Sequence, residues 1–328
     1  MTAAPNHRPL LEVRDLSIGF ADSRGVFLAA DRIHLDVQTN QTVGLLGESG
    51  CGKSVTLRSI LGLVPYPGEV VSGSIRWKGQ DLRTLRRREI EKIRGKEIAM
   101  IFQDPTSCLN PVFTIGSQIT ETLRIKLDLS ARAAADRAVE LLDHVGIPSP
   151  RERLQLYPHQ LSGGMRQRVM IAIAISAQPD LLLADEPTTA LDVTIQDQIL
   201  SLLARLKEES GMSMILVSHD VGVVAQNCDV IAVMYAGKIV ESGPARDVIH
   251  SPRHPYTRGL LAAIPKLEAI SERRPLSSIP GQPPNLATLP DGCPFQARCP
   301  FVRPDCASIP VILDHALPGH GSACPMVN

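Results

Sequence analysis

Apolar positions in this chain fall into two patterns. Thr42-Val43-Gly44-Leu45-Leu46, Ile98-Ala99-Met100-Ile101, Leu181-Leu182-Leu183-Ala184 and Met214-Ile215-Leu216-Val217 are unbroken runs of strand length. Such runs fit strands covered on both faces, as in a parallel sheet. Residues 10–20, Ile33–Val37 and Gly73–Trp77 instead mix polar with apolar positions, which predicts half-exposed strands. The two kinds together predict an antiparallel layer beside a parallel core. Helices are expected at about 115–127 and 131–145, the second helped by Ala133–Ala135 and ended by Gly146 and Pro148. Val169 to Ala177 carries almost no polar residue and predicts a buried helix ended by Pro179. Val230–Val240 reads as a hairpin turning at Ala236-Gly237. Beyond Ser251 the pattern breaks at Pro252, Pro255, Pro265, Pro275, Pro280, Pro283, Pro284 and Pro290, leaving one helix near 256–264. Such a tail cannot build a large core unaided.

Composition narrows the class. A length of 328 residues allows one large domain with an appendage or two modest ones. Aromatics are 3%, so the core must be aliphatic. Lys+Arg and Asp+Glu are 34 each, and without a basic surplus nothing argues for a nucleic-acid partner. Met1 to Pro9 has no apolar segment of the secretory kind, and no run approaches the roughly 18 apolar residues of a spanning helix. A cytosolic chain is expected, with any membrane role arising from docking onto another protein. Arg83, Arg86, Arg87, Arg88, Lys92, Arg94 and Lys96 are interleaved with Glu89 and Glu91, which favours a solvated helix face over an anion-binding surface.

The candidate chemistry starts at Gly47, Glu48, Ser49, Gly50, Cys51, Gly52, Lys53 and Ser54, which fit G-x-x-x-x-G-K-[ST]. An apolar strand precedes the loop and a helix beginning near Val55 follows it. Glycines let the backbone curl so that N–H groups face a polyphosphate, and the helix dipole adds partial positive charge. Lys53 would reach the β- and γ-phosphates, and the Ser54 hydroxyl would ligate Mg²⁺. Gln103 stands at the end of an apolar strand, where open α/β sheets bind ligands. Ser162-Gly163-Gly164 opens a helix: Ser162 suits the N-cap, and the glycines allow close approach of an anion. Asp185 ends another apolar strand and could hold Mg²⁺ through water. Glu186, next in the chain, is placed to take a proton from an attacking water. Asp192 follows in the turn before a helix, and His219 ends the strand that starts at Met214. Phe20, on the end of the first strand, could stack on a base or simply belong to the core.

Set in order, these pieces resemble the nucleotide-binding subunit of an ABC transporter, over roughly residues 10–250. Gly47–Ser54 matches Walker A, Gln103 the Q-loop and Leu161-Ser162-Gly163-Gly164-Met165 the signature motif. Leu181 to Glu186 matches Walker B with its catalytic glutamate, Ala190-Leu191-Asp192 the D-loop, and His219 the switch histidine. Phe20 falls where the family places its base-stacking aromatic. The resemblance implies an α/β phosphate-loop NTPase fold: a RecA-like core, an antiparallel β subdomain and a helical subdomain at about 105–178. The ABC domain is expected over 1–250, and a small cysteine-containing extension over 251–328.

The finer resemblance is to the dipeptide/oligopeptide importer branch, which also contains nickel importers. It rests on Ile101-Phe102-Gln103-Asp104-Pro105, Leu109-Asn110-Pro111, Tyr157-Pro158-His159-Gln160 and Arg253-His254-Pro255-Tyr256-Thr257. In the tail it rests on Gly281-Gln282-Pro283-Pro284, Gly292-Cys293-Pro294-Phe295 and Arg298-Cys299-Pro300. This implies ATP with Mg²⁺ held by Ser54, Gln103 and Asp185, Glu186 polarising water, and His219 holding the γ-phosphate. It implies that Ser162-Gly163-Gly164 serves the nucleotide of a second ATPase chain, a paralogue by preference, and that Asp192 communicates across that pair. Two membrane permease subunits, a solute-binding protein and a peripheral place on the cytoplasmic face of the membrane are implied as well. A soluble, non-transport ABC ATPase is the competing class, and the chain lacks the long coiled-coil insertion or second cassette usual there.

Four of the seven cysteines, Cys293, Cys299, Cys306 and Cys324, crowd the tail. Their spacing is neither the paired CxxC of zinc ribbons nor a ferredoxin run. Four thiolates in a core-poor segment would nonetheless organise it around a metal. A [4Fe–4S] cluster is the first expectation, Zn²⁺ the second and disulfides the third, with His315 or His320 able to replace a cysteine.

Overall fold

The computed structural model describes residues 8–23, 25–189, 191–264, 278–317 and 319–324. Its contacts divide the chain into two compact units, one formed up to Thr84 and again from Val217 onward, the other by Leu85–Leu216.

The first unit opens with β1 (Leu11–Asp22) and β2 (Gly25–Val37), an antiparallel pair. In β2, Ile33, Leu35 and Val37 are buried while His34 and Asp36 are exposed, the alternation of a sheet with one wet face. Next come β3 (Thr42–Leu46), buried at every position, α1 (Lys53–Ile60), β4 (Gly68–Trp77) and the short β5 (Gln80–Asp81). The order β2-β1-β4-β5 makes the expected antiparallel layer. Two of its strands begin earlier than the alternation suggests, β2 at Gly25 and β4 at Gly68. Register shifts in β1 near Arg14–Ile18 break the period of two, so the early residues pair without announcing themselves.

The second unit contains α2 (Arg87–Ile93), β6 (Ile98–Ile101), α3 (Pro105–Cys108), α4 (Ile115–Leu127), α5 (Ala131–His144), α6 (Pro150–Arg153), α7 (Gly163–Ile175), β7 (Leu181–Asp185) and α8 (Val193–Ser210). β8 (Ser213–Ser218) completes it and leads back to the first unit. Thr114, Ser130, Ser162 and Asp192 cap α4, α5, α7 and α8, each accepting from the backbone N–H three residues on. Ile115, Ile119 and Leu123 of α4 and Ala134, Ala138, Leu141 and Leu142 of α5 are buried at helical spacing. On α2 the charges face solvent in the pairs Arg86–Glu89 and Arg87–Glu91, in agreement with a solvated face. β6 and β7 run parallel, with Ile101 opposite Ala184.

Back in the first unit, α9 (Val221–Asn227), β9 (Val230–Tyr235), β10 (Lys238–Pro244), α10 (Ala245–His250), α11 (Pro255–Ala262), β11 (Asp314–Leu317) and β12 (His320–Ser322) follow. The hairpin of β9 and β10 turns at Ala236 and Gly237, both at positive φ. β9 lies parallel to β3, and the strand order here is β11-β12-β10-β9-β3. The proline-rich tail does not make a core; it joins one. Phe295 is 2% exposed, with its ring centroid 5.2 Å from Tyr235 and 5.4 Å from Tyr256. Leu46, Val233 and Val248 belong to the same cluster. Glu241 of β10, fully buried, accepts from the backbone N–H of Arg253 at 2.7 Å and of His254 at 2.8 Å. His320 Nε2 lies 2.8 Å from the same carboxylate.

Among the described residues no helix is long and apolar enough to cross a membrane. Ala190 of the expected D-loop lies outside the described residues, as do Met1 to His7, Pro265 and Pro275.

Candidate nucleotide site and the cysteine cavity

In the first unit, the loop between β3 and α1 is closed from several sides. Lys53 is 4% exposed and donates from Nζ to the Gly47 carbonyl at 2.8 Å and the Glu48 carbonyl at 3.0 Å. Two glycines are required sterically. A Cβ on Gly47 would stand 2.2 Å from the Met234 carbonyl oxygen. Gly52 has φ of 106°, and its Cβ would stand 2.3 Å from the Ala29 carbonyl oxygen. Cys51 is buried with its thiol pushed up by desolvation, while Ser49 and Gly50 are exposed. Ser54 and Val55 are half-buried at the start of α1. A strand, a curled glycine loop and a helix N-terminus are thus assembled as an anion nest requires.

Glu48 carries contacts that local sequence does not reveal. Its backbone N–H donates to the Tyr256 hydroxyl at 2.9 Å. Its carboxylate accepts from both terminal nitrogens of Arg298, at 2.7 and 2.9 Å. Both partners stand in the tail motifs quoted above, without a role attached to them there. Phe20, half-buried on β1, stacks with Phe27 of β2 at 5.9 Å and 19°. His219 is exposed just after β8, and Asp220 caps α9 beside it.

In the second unit, the register of β6 and β7 brings Gln103 and Glu186 to neighbouring strand ends, each two residues past the Ile101–Ala184 pair. Gln103 Nε2 donates to Glu186 Oε2 at 3.1 Å, and the Thr189 hydroxyl donates to the same oxygen at 2.9 Å. Glu186 is 8% exposed and held at φ of 45°, a left-handed conformation that costs a non-glycine residue energy. Asp185, at the carboxyl end of β7, is fully buried. Ser162 caps α7 by accepting from the Met165 N–H, and Gly163 and Gly164 form its first turn. Asp192 accepts from the Ile195 N–H at 2.9 Å and so starts α8.

A separate cavity in the first unit is lined by all four tail cysteines, Cys293, Cys299, Cys306 and Cys324, together with His254 and Phe295. Burial pushes the Cys293 thiol up to about 11. The N–H groups of Phe301 and Arg303 donate to the sulfurs of Cys299 and Cys306, at 3.4 and 3.5 Å. No disulfide joins the cysteines. Among the described residues no group of three or more His, Cys, Asp or Glu side chains stands where it could hold a metal ion. His320 is engaged by Glu241, and the side chain of His315 lies outside the described residues. His254, quoted above in a branch motif without a role of its own, is 1% exposed; burial pushes its pKa down to about 3, so it is neutral and its Nδ1 accepts from the Tyr256 N–H.

A phosphate loop at a strand–helix junction, a strand ending in Asp-Glu and a capped Ser-Gly-Gly helix define an ATP-binding cassette. Residues 30–189 match the family model described as ABC transporter, and residues 240–306 match that of the oligopeptide/dipeptide transporter C-terminal region. The chain is 46% identical to the dipeptide transport ATP-binding protein DppD of Escherichia coli K12, over 96% of this chain and 96% of that protein. It is 46% identical to the oligopeptide transport ATP-binding protein OppD of Salmonella typhimurium, over 96% of this chain and 93% of the relative. Among solved structures, an ATP-binding cassette dimer in a post-hydrolysis state with ADP and Pi aligns with a TM-score of 0.65 at 28% identity, over 72% of this chain and 99% of that one. A second, cbiO1 of Clostridium perfringens, aligns with a TM-score of 0.64 at 25% identity, over 81% and 99%. The chain belongs to the ABC transporter ATP-binding family, in its oligopeptide/dipeptide branch.

Proposed function

We propose that this chain binds and hydrolyses ATP to power import of di- or oligopeptides through a membrane permease. The observation that carries the reading is the combination of an assembled phosphate loop with a tail of the oligopeptide/dipeptide type. Lys53 and the N–H groups of the loop bind the β- and γ-phosphates, and Phe20 stacks on the base. Ser54, Gln103 and Asp185 serve Mg²⁺, which when bound neutralises phosphate charge. Glu186 accepts the proton of the attacking water. His219 holds the γ-phosphate. Ser162, Gly163 and Gly164 cover the nucleotide of a second ATPase chain, and Asp192 couples the two. The working division is an ABC domain over 1–250, with a helical subdomain at about 105–178, and an extension over 251–328. The partners are a paralogous ATPase, two permease subunits and, indirectly, a solute-binding protein, at the cytoplasmic face of the membrane.

The test is uptake into proteoliposomes that carry the chain with its permease subunits and partner ATPase, with the solute-binding protein added. ATP-dependent accumulation of a labelled dipeptide, with no accumulation of Ni²⁺, is expected. The reverse result would assign the solute to the nickel side of the branch.

The same reading extends to the tail, where Cys293, Cys299, Cys306 and Cys324 bind a [4Fe–4S] cluster. Four thiols on one apolar-walled cavity, with N–H donors aimed at two sulfurs, fit that group. Cys293, Cys299, Cys306 and Cys324 would hold the cluster, which would supply iron–thiolate cross-links to the extension. Anaerobically purified protein is expected to be brown, with broad visible absorption that Cys299→Ser abolishes. A colourless protein with stoichiometric zinc would reverse the assignment.

A further inference from the structure

Glu48 is the second residue of the phosphate loop, and both its ends are held from the C-terminal extension. Tyr256 takes the backbone N–H, and Arg298 takes the carboxylate in a two-pronged fork. Arg298 is itself immobilised. Its side chain is 5% exposed, its Nε donates to the Pro280 carbonyl at 2.9 Å, and its guanidinium stands 5.9 Å over the Tyr235 ring. Tyr256 is fully buried against Tyr235 and Phe295. The Glu48 side chain is 25% exposed, so the pair is part-buried: it contributes more than a fully solvent-exposed ion pair, and removing Glu48 would leave the Arg298 guanidinium enclosed without its counter-charge.

The placement matters for phosphate binding. Lys53 holds the Gly47 and Glu48 carbonyls, and the Gly237 N–H holds the Cys51 carbonyl at 2.9 Å. Tyr256 then fixes the Glu48 N–H, and the Cys51 N–H donates to the Glu48 carbonyl at 3.4 Å, so the turn of the loop is set from Glu48 to Cys51. A nest of N–H groups binds well only if it is curled before the anion arrives, because ordering it on binding subtracts from affinity.

We propose that Arg298 and Tyr256 are positioning residues of the nucleotide site, which clamp Glu48 and hold the phosphate loop in its binding shape. The proposal rests on the ATP-binding reading above. It makes the extension a determinant of ATP affinity as well as a badge of the transporter branch.

The test uses the full chain, with Mg·ATP titrated onto it by calorimetry, and the reconstituted complex for KM and kcat. Arg298→Ala is expected to raise Kd and KM for ATP by roughly 10–100-fold, within the range for losing a hydrogen bond to a charged group, while kcat at saturating ATP stays within about twofold. Glu48→Ala should weaken ATP binding similarly, and the double variant should be no worse than either single, because one contact is shared. Arg298→Lys should recover part of the loss, since an ammonium keeps the charge without the fork. A cooperatively melting Arg298→Ala protein that binds ATP as tightly as the parent, or single effects that multiply in the double variant, would overturn the clamp. Should Arg298→Ala not fold, Arg298→Lys and Tyr256→Phe decide: a raised KM at constant kcat supports it, and an unchanged KM overturns it. Failure of the parent chain to bind Mg·ATP would instead remove the reading beneath it.

Discussion

Glu186→Gln is expected to leave Mg·ATP binding within about twofold of the parent and to lower turnover by roughly 10²–10⁴-fold, the usual worth of a general base. The substitution is close to isosteric. A glutamine oxygen can still accept from Gln103 and Thr189, which both donate to Oε2 of the parent side chain. What disappears is the charge that takes a proton. The left-handed φ of 45° at Glu186 remains, so the strand end keeps its shape. Calorimetric binding together with single-turnover hydrolysis in the full transport complex separates the two steps. Undiminished hydrolysis there would remove Glu186 from the mechanism.

Gly52→Ala should fail one step earlier, at binding. Any L-residue at φ of 106° is strained, and here the new Cβ would also fall 2.3 Å from the backbone oxygen of Ala29. That atom is backbone of β2, whose neighbouring Leu28 and Ala30 pair with Gly19 and Ile18 of β1, and it cannot swing away as a side-chain tip would. The loop must shift, and restoring its shape around ATP costs about 1–3 kcal/mol, a weakening of Kd on the order of 10–100-fold. Isothermal titration with Mg·ATP measures it directly. Parent-like affinity in a folded Gly52→Ala chain would mean that the observed loop geometry is not the one that binds phosphate.

Much of this molecule was written locally. Thr42–Leu46 and Leu181–Asp185 are all-buried strands because unbroken apolar runs have no wet face to offer. Ser162 and Asp192 announced helix starts, and both accept the expected backbone N–H. The ends of β2 and β4 were harder to read, because shifts in β1 spoil the alternation that marks a strand. The clamp on Glu48 was not legible at all. Arg298 is 250 positions away, and no periodicity or capping pattern links residues so distant. His254 was hidden for a related reason. Its burial depends on Phe295 and the cysteine segment folding over it, not on its neighbours in sequence.

The pairing of β12 with β10 has a consequence for how the molecule behaves in company. A long strand with an unpaired row of N–H and C=O groups is a template for other chains. Here β10, seven residues long, is covered along part of its outer edge by β12, and the sheet finishes in strands of only three and four residues. His320, closing onto the buried Glu241, fastens that ending in place. The short β11–β12 hairpin therefore works as a selvedge, offering a neighbouring chain only a few residues of unpaired edge.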